Sequence, residues 1–298
     1  MPAIKQRISV AMAVYNGEAY LKQQLDSLLQ QQYPATEIII LDDCSTDDSA
    51  NIIQQFVSPN IPIHYYKNEV NKGPLYTFRK LVSYCTGDYI AFCDQDDIWL
   101  PNKLDICMQQ MQLLPTQLPA VVFTDLSLIN NNNQIIQASF WKYYGIYPQQ
   151  TSFANVLFNN VITGCSTLIN KAMAQEINKM PYEAILHDHW IALIAYSFGQ
   201  FYSLDTPTVL YRAHNNSVTQ KAKLSLQSRF FNTVKSNPDF IKHIQQARAF
   251  KQLYNNRLKP QQQQTLRYFT GLARIPFMQN HIMQKCMKYL IHKMVGIK

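Results

Sequence analysis

Residues 8–29 read ISVAMAVYNGEAYLKQQLDSLL: an apolar run, a break at Tyr15-Asn16-Gly17, then leucines at 21, 25, 28 and 29. The run is continuous and ends after seven residues, whereas the leucines recur at helical spacing. A buried strand followed by an amphipathic helix is predicted. The unit returns as EIIIL (37–41) with a helix near 49–57, as IHYY (63–66) with 75–84, and as YIAFC (89–93) with 103–113. Strand–helix pairs in series imply a mostly parallel sheet. Strands that are apolar throughout suit a sheet covered by helices on both faces.

Further along, AVVFTDLSLI (120–129), a turn at 130–133, VITGCSTLI (161–169), a helix around 191–198, and the strands QFYSL and TVLY complete the same domain. Beyond residue 220 the strand signals stop. LSLQSRFFNTV, FIKHIQQARAFKQLYNNRL and HIMQKCMKYLIHKMV read as amphipathic helices. The predicted organisation is an α/β domain over 1–220 and a basic helical C-terminal region over 221–298.

Charge divides at the same place. Residues 1–220 carry 12 basic and 18 acidic side chains, and residues 221–298 carry 15 and 1. Over the 298 residues, 52 Asn and Gln outnumber 46 charged side chains, so much of the surface is polar but neutral. At 47% hydrophobic, the chain is no disordered polymer. The six cysteines have neither CxxC spacing nor the density of a disulfide scaffold, which suits a reducing compartment. The N-terminus lacks the apolar segment of a secretory signal, and no window reaches the roughly 20 apolar residues of a membrane span.

In open α/β sheets, ligands bind beyond the carboxyl ends of the strands. There the sequence places Tyr15-Asn16-Gly17-Glu18 after the first strand, DDCSTDD (42–48) after the second and DQDD (94–97) after the fourth. If the chain stays extended, Asp94 and Asp96 share a side and Asp97 faces away. Two such carboxylates can hold Mg²⁺ or Mn²⁺ against a substrate diphosphate; alternatively they cap the helix that follows. Asp47 and Asp48 are read as caps. Asp42 is read as a candidate acceptor from a nucleobase or ribose. Asn71-Lys72-Gly73-Pro74 is a turn in which Gly73 permits close approach and Lys72 could face phosphate. In His187-Asp188-His189-Trp190, Asp188 is either a general base or a helix cap. His214 has the chemistry of a metal ligand, though one histidine is more often not one.

Seven blocks in order carry a resemblance to a known family: VAMAVYNGEAYLKQQLDSLLQQ, IIILDDCSTDDS, NKGPLYTFRKL, GDYIAFCDQDDIWLPNKL, TGCSTLINK, HDHWIALIAYSFG and VLYRAHNNSVT. Over about residues 7–220 the chain resembles family 2 glycosyltransferases of the GT-A fold, in particular the bacterial rhamnosyltransferase-like branch. The resemblance implies a GT-A (Rossmann-like) mixed, mostly parallel sheet. It implies that Val14, Tyr15, Asn16, Glu18, Asp42, Ser45, Lys72, Gly73, Asp94, Arg212 and Asn216 bind a nucleoside-diphosphate sugar, and that Asp96 and His214 bind Mn²⁺ or Mg²⁺. Asp188 would be the catalytic base of an inverting reaction, with His189 and Trp190 toward the acceptor. Pro74, Thr77 and His189 depart from the residues usual in the branch.

The implied acceptor is a saccharide or lipid-linked saccharide in surface polysaccharide synthesis. The basic C-terminal region then suits either a peripheral position on the anionic inner face of the plasma membrane or merely a solvated helical cap. No nucleic-acid recognition module is present in the sequence. Two rival classes are a nucleotidyltransferase on a similar sheet, which would release pyrophosphate, and a non-catalytic protein that only binds nucleotide sugar.

Overall fold

The computed structural model describes residues 6–213 and 238–272. Strand β1 (Ile8–Val14) lies inside a parallel group, paired with β2 (Glu37–Asp42) on one side and β4 (Tyr89–Cys93) on the other, with β3 (Ile63–Lys67) outside β2. Beyond β4 the sheet turns mixed. β8 (Thr167–Asn170) runs antiparallel between β4 and β6 (Ala120–Ile129), and β9 (Gln200–Arg212) returns parallel to β6. The short β5 (Ile98–Trp99) pairs antiparallel with β9, and β7 (Ile135–Gln137) pairs with β6. The order is β3-β2-β1-β4-β8-β6-β9-β5. The mostly parallel α/β expectation is borne out.

Helices α1 (Leu21–Leu29), α2 (Ser49–Gln55), α3 (Pro74–Tyr84) and α4 (Lys103–Met111) follow β1, β2, β3 and β5. Leu21, Leu25 and Leu28 are the buried face of α1, as their spacing dictates. Pro74 opens α3, where an amide would have no intrahelical partner, and Gly73 precedes it at φ +80°. At the end of the sheet away from the loops, the buried Glu37 accepts from the Ser9 hydroxyl and the Thr86 amide, tying β1, β2 and the approach to β4 together. Burial opposes the Glu37 charge, but those donors outweigh it and hold its pKa below the usual range.

After β7 come α5 (Phe140–Tyr144), α6 (Phe153–Val156), α7 (Lys171–Asn178) and α8 (His187–Ala195). The strands expected separately as QFYSL and TVLY are one strand, β9, whose register against β6 slips between Thr124 and Leu126. The slip lets Pro207, which cannot donate to a ladder, sit within the strand.

Two C-terminal helices are described, α9 (Pro238–Tyr254) and α10 (Pro260–Leu272). Phe240, Ile244, Ala247, Phe250, Tyr254, Leu266 and Phe269 join the same buried cluster as the sheet strands. These helices therefore share the core of the sheet rather than hanging from it.

Candidate functional site

The loops at the carboxyl ends of β1 and β2 are stitched together by their own side chains. The Asn16 amide donates to Ser45 Oγ (2.9 Å), and Asn16 Oδ1 accepts from the Thr46 amide (2.9 Å). Gly17 N donates to Ser49 Oγ, Glu18 N to Asp47, and Asp48 N to Glu18. Asn16 takes φ +50°, a region that asparagine tolerates better than most residues. Glu18 and Asn16 thus brace the rim, and the Tyr15 ring is left 47% exposed above it.

Gln95, which sequence reasoning passed over, joins this rim to β4. Its Oε1 accepts from the Tyr15 amide (2.7 Å) and its Nε2 donates to the Tyr15 carbonyl (2.9 Å), replacing a missing strand neighbour. A Cβ at position 17 would lie 2.5 Å from Gln95 Oε1, so the glycine is required for this clasp.

Asp42 is fully buried. One oxygen accepts from the Ser45 amide (2.7 Å); the other accepts from the Tyr65 hydroxyl (2.9 Å) and lies 3.6 Å from Lys67 Nζ. Both of its oxygens are engaged in shaping the loop. Its neighbour Asp43 accepts from the Lys72 amide (2.8 Å), the Gly73 amide (2.7 Å) and Asn68 (2.8 Å). This anchor fixes the Lys72–Gly73 turn and leaves the Lys72 side chain exposed.

The DQDD segment does not stay extended. It turns at Gln95–Asp96, and the turn brings Asp94 and Asp97 together, where alternation in a strand would separate them. One ligand atom each from Asp94, Asp97 and Cys165 lies within 4.8 Å of the others. Burial, then Asp96 and Asp188, push the Asp94 carboxyl up to about 7. Burial, then Asp96 and Asp94, push Asp97 well above the usual range, and one of its oxygens has no hydrogen-bond partner. Burial also keeps the Cys165 thiol protonated, with Asp97 and Asp94 adding to the effect. Clustered carboxylates raised by one another's charge, with an orphaned buried oxygen among them, fit a divalent cation. The cluster assembled here is Asp94–Asp97–Cys165, where the sequence pointed to Asp96 and His214. His214 and Asn216 lie outside the described residues.

Arg212 was expected at the diphosphate. It is 1% exposed, with Nε bonded to the Asp96 carbonyl (2.8 Å), one terminal nitrogen to Asn130 O (3.0 Å) and the other to Gln23 (3.2 Å). Its plane covers the Tyr20 ring at 4.2 Å, and its amide donates to Asp97 (3.2 Å). Arg212 therefore holds the DQDD turn from behind. Lys103 is another buried cation in this layer, 4.0 Å from the Trp99 ring, its charge opposed by desolvation.

Asp188 enters from α8. The His189 amide donates to it (2.6 Å), and the Gly164 amide and Asn160 side chain also bond to it. Burial outweighs these donors and lifts the carboxyl to about 6. Behind it, the His187 ring packs 3.9 Å from Phe78 and 4.7 Å from Phe92, centre to centre. A Cβ on Gly164 would meet His187 Nε2 at 2.6 Å, so this glycine is needed too.

His189 and Trp190, expected toward the acceptor, are buried beside the C-terminal helices. The His189 ring is buried between the Val156 carbonyl (2.6 Å) and the Gln246 side chain (3.3 Å), and Trp190 packs edge-on against Phe250. They form the seat of α9. An aromatic and an imidazole on an apolar helix are what such a seat requires.

The assembled rim offers an acidic, partly dry cluster able to take a cation and a separate carboxyl whose pKa suits proton transfer near neutral pH. The sequence profile of Glycosyl transferase family 2 matches residues 9–177. The chain is 28% identical over 232 residues to the dTDP-rhamnosyl transferase RfbG of Shigella flexneri, covering 74% of this chain and 76% of that protein. It is 31% identical over 162 residues to the UDP-Glc:alpha-D-GlcNAc-diphosphoundecaprenol beta-1,3-glucosyltransferase WfgD of Escherichia coli, covering 54% and 59%. Its fold matches S. aureus TarS in complex with UDP-GlcNAc at TM-score 0.59 and 16% identity, over 96% of this chain and 86% of that one.

Proposed function

The chain belongs to glycosyl transferase family 2, a family of glycosyltransferases, and from that premise we propose an inverting, cation-dependent transfer of a sugar from a nucleoside diphosphate to a saccharide hydroxyl in bacterial polysaccharide synthesis. The observation that carries the reading is the convergence of Asp94, Asp97 and Asp188, from two distant segments, on one rim at the carboxyl end of the sheet.

The nucleotide half of the donor would lie over the β1 and β2 loops, with Val14 at the floor, the exposed Tyr15 ring beside it, and Asn16, Glu18, Ser45 and Gly73 keeping the rim in shape. Asp94 and Asp97 are the residues that would hold Mn²⁺ or Mg²⁺, together with Asp96 and with His214 from beyond the described residues; the protonated Cys165 thiol lies beside them. Such a cation, when bound, supplies positive charge where the departing diphosphate accumulates negative charge.

Asp188 takes the proton of the acceptor hydroxyl. Its raised pKa makes it a better base than an exposed carboxylate and still leaves it ionised above about pH 6. The acceptor oxygen attacks the anomeric carbon on the face opposite the leaving diphosphate, and the configuration there inverts. The bond between that carbon and the diphosphate oxygen breaks as the new glycosidic bond forms.

RfbG and WfgD, by their names, use dTDP-rhamnose-type and UDP-glucose donors, and the name of WfgD places its acceptor on a diphosphoundecaprenol lipid. A dTDP- or UDP-sugar donor and a lipid-linked acceptor are accordingly proposed here. Among the described residues no helix is long and apolar enough to cross a membrane. The test is turnover of a panel of nucleotide sugars with and without Mn²⁺, with the anomeric configuration of the product read by NMR. Release of a nucleoside diphosphate with inversion is expected; pyrophosphate release or retention of configuration refutes the reading.

A further inference from the structure

Helices α9 and α10 run as a hairpin with one face on the core, and their other faces enclose an open groove of about 510 Å³. Its walls are two stripes at helical spacing, Arg248, Lys251 and Gln252 on α9 with Asn255 just past its end, and Gln263, Arg267 and Thr270 on α10. The groove has three cations and no carboxylate.

Cations on a protein surface are normally paired or spread apart. In the same helical region, Arg257 shows the usual solution: it bonds Glu176 at 2.6 Å and stacks on Phe198 at 3.9 Å. Arg248, Lys251 and Arg267 have no acidic partner among the described residues. Of the side chains in 221–298 only Asp239 is acidic, and it stands nine residues before Arg248 on α9; residues 1–5, 214–237 and 273–298 contain no Asp or Glu. Packing of Phe250, Tyr254, Leu266 and Phe269 beneath the groove holds its charges together despite their repulsion.

We propose that this groove receives the phosphate headgroups of an anionic bilayer and seats the enzyme on the membrane. Charge complementarity argues for phosphate, and the neutral amides of Gln252 and Asn255 add donors for its oxygens. Two exposed apolar side chains on α9, Ile241 and Leu253, suit a surface that meets lipid as well as water. The proposal rests on the reading of a lipid-linked acceptor given above, and it localises the contact to one groove where the basic composition of 221–298 would allow any part of it.

The experiment uses the full-length chain and vesicles of phosphatidylglycerol with phosphatidylcholine, against phosphatidylcholine alone, read by sedimentation. Wild type is expected to bind only the anionic vesicles, and binding should weaken with salt. The triple variant Arg248→Gln, Lys251→Gln, Arg267→Gln should lose about 100-fold in partitioning, at about 1 kcal/mol per cation and 1.4 kcal/mol per tenfold. A control pair whose side chains do not line the groove, Lys242→Gln with Lys259→Gln, should change it by less than about threefold.

Equal losses in the two variants, or none in the triple variant, overturn the groove assignment while membrane binding itself survives. Stabilisation of wild type by pyrophosphate with no vesicle binding makes the occupant a soluble anion and overturns the bilayer proposal. Donor hydrolysis by the same preparations is measured in parallel, so that failure of the transferase reading is separate from failure of this one.

Discussion

Gln95 grips Tyr15 by both its amide and its carbonyl, at 2.7 and 2.9 Å, and so closes the gap between the loops after β1 and β4 with a side chain in place of a strand. The clasp fills the space that a side chain at position 17 would occupy. Two glycine- and glutamine-level choices, far apart in sequence, make one structural unit.

Gly17→Ala should therefore reproduce Gln95→Ala. Each loses two hydrogen bonds at about 1 kcal/mol apiece, and each should weaken binding of a nucleoside diphosphate. The double variant should cost little more than either single one, a non-additivity measurable by titration calorimetry in a double-mutant cycle. Fully additive effects would show that the two residues act separately.

Asp188→Asn keeps the shape of the side chain and removes its basicity. Turnover should fall by a factor of about 10² to 10⁴, with affinity for the donor nucleotide unchanged. Near wild-type turnover in this variant would displace Asp188 from its role.

The same carboxyl sets an acid limb. With Asp188 held at about 6, activity should rise as pH increases through that value and then level off. Stability should move the other way. An unfolded aspartate titrates near 4, so between about pH 4 and pH 7 the folded chain keeps protons on Asp94 and Asp188 that the unfolded chain has released. Fewer protons bound in the unfolded state means that stability falls as pH rises. Asp96, Asp97 and Cys165 face the same cluster and Lys103 lies behind it. In chelator, Tm should drop from pH 5 to pH 8, and the drop should flatten in Asp94→Asn with Asp188→Asn. Added Mn²⁺ should raise Tm more at pH 8 than at pH 5, because protons compete with the cation for the same oxygens.

Gly164→Ala should be costly in a way few surface glycine substitutions are. The ring it would strike, His187, is confined by Phe78 and Phe92 and cannot swing away. A loss of about 1 to 3 kcal/mol is expected from the overpacking, with the start of α8 and Asp188 displaced. Chemical denaturation should show partial recovery when His187→Ala is added.

His189→Ala tests the seat of α9. It leaves the Val156 carbonyl and Gln246 without their buried partner, which should cost about 1 to 3 kcal/mol. Donor hydrolysis per folded molecule should persist, whereas a residue of an acceptor pocket would change the KM for acceptor and leave stability alone.

Periodicity made β1 to β4 and their helices readable, because a strand buried on both faces and a helix buried on one leave different spacings in the sequence. The carboxylates after β2 and β4 were readable for the same reason: once the strands are known, so are their ends. Burial and hydrogen bonding at those ends were not. Asp42 and Arg212 carry charges of the type a nucleotide site uses, yet each is enclosed by protein donors or acceptors from other elements. Nothing local distinguishes a charge presented to a ligand from one that holds a loop.

By itself the sequence determined the alternation of strands and helices, the family, and which loops would carry acidic groups. Tertiary structure alone decided that Asp94 meets Asp97 and Cys165 through a turn, and that His189 and Trp190 pack against α9. The division follows from range: periodicity records how each segment meets solvent, while the partner of a buried polar group is chosen by contacts between segments that no local pattern encodes.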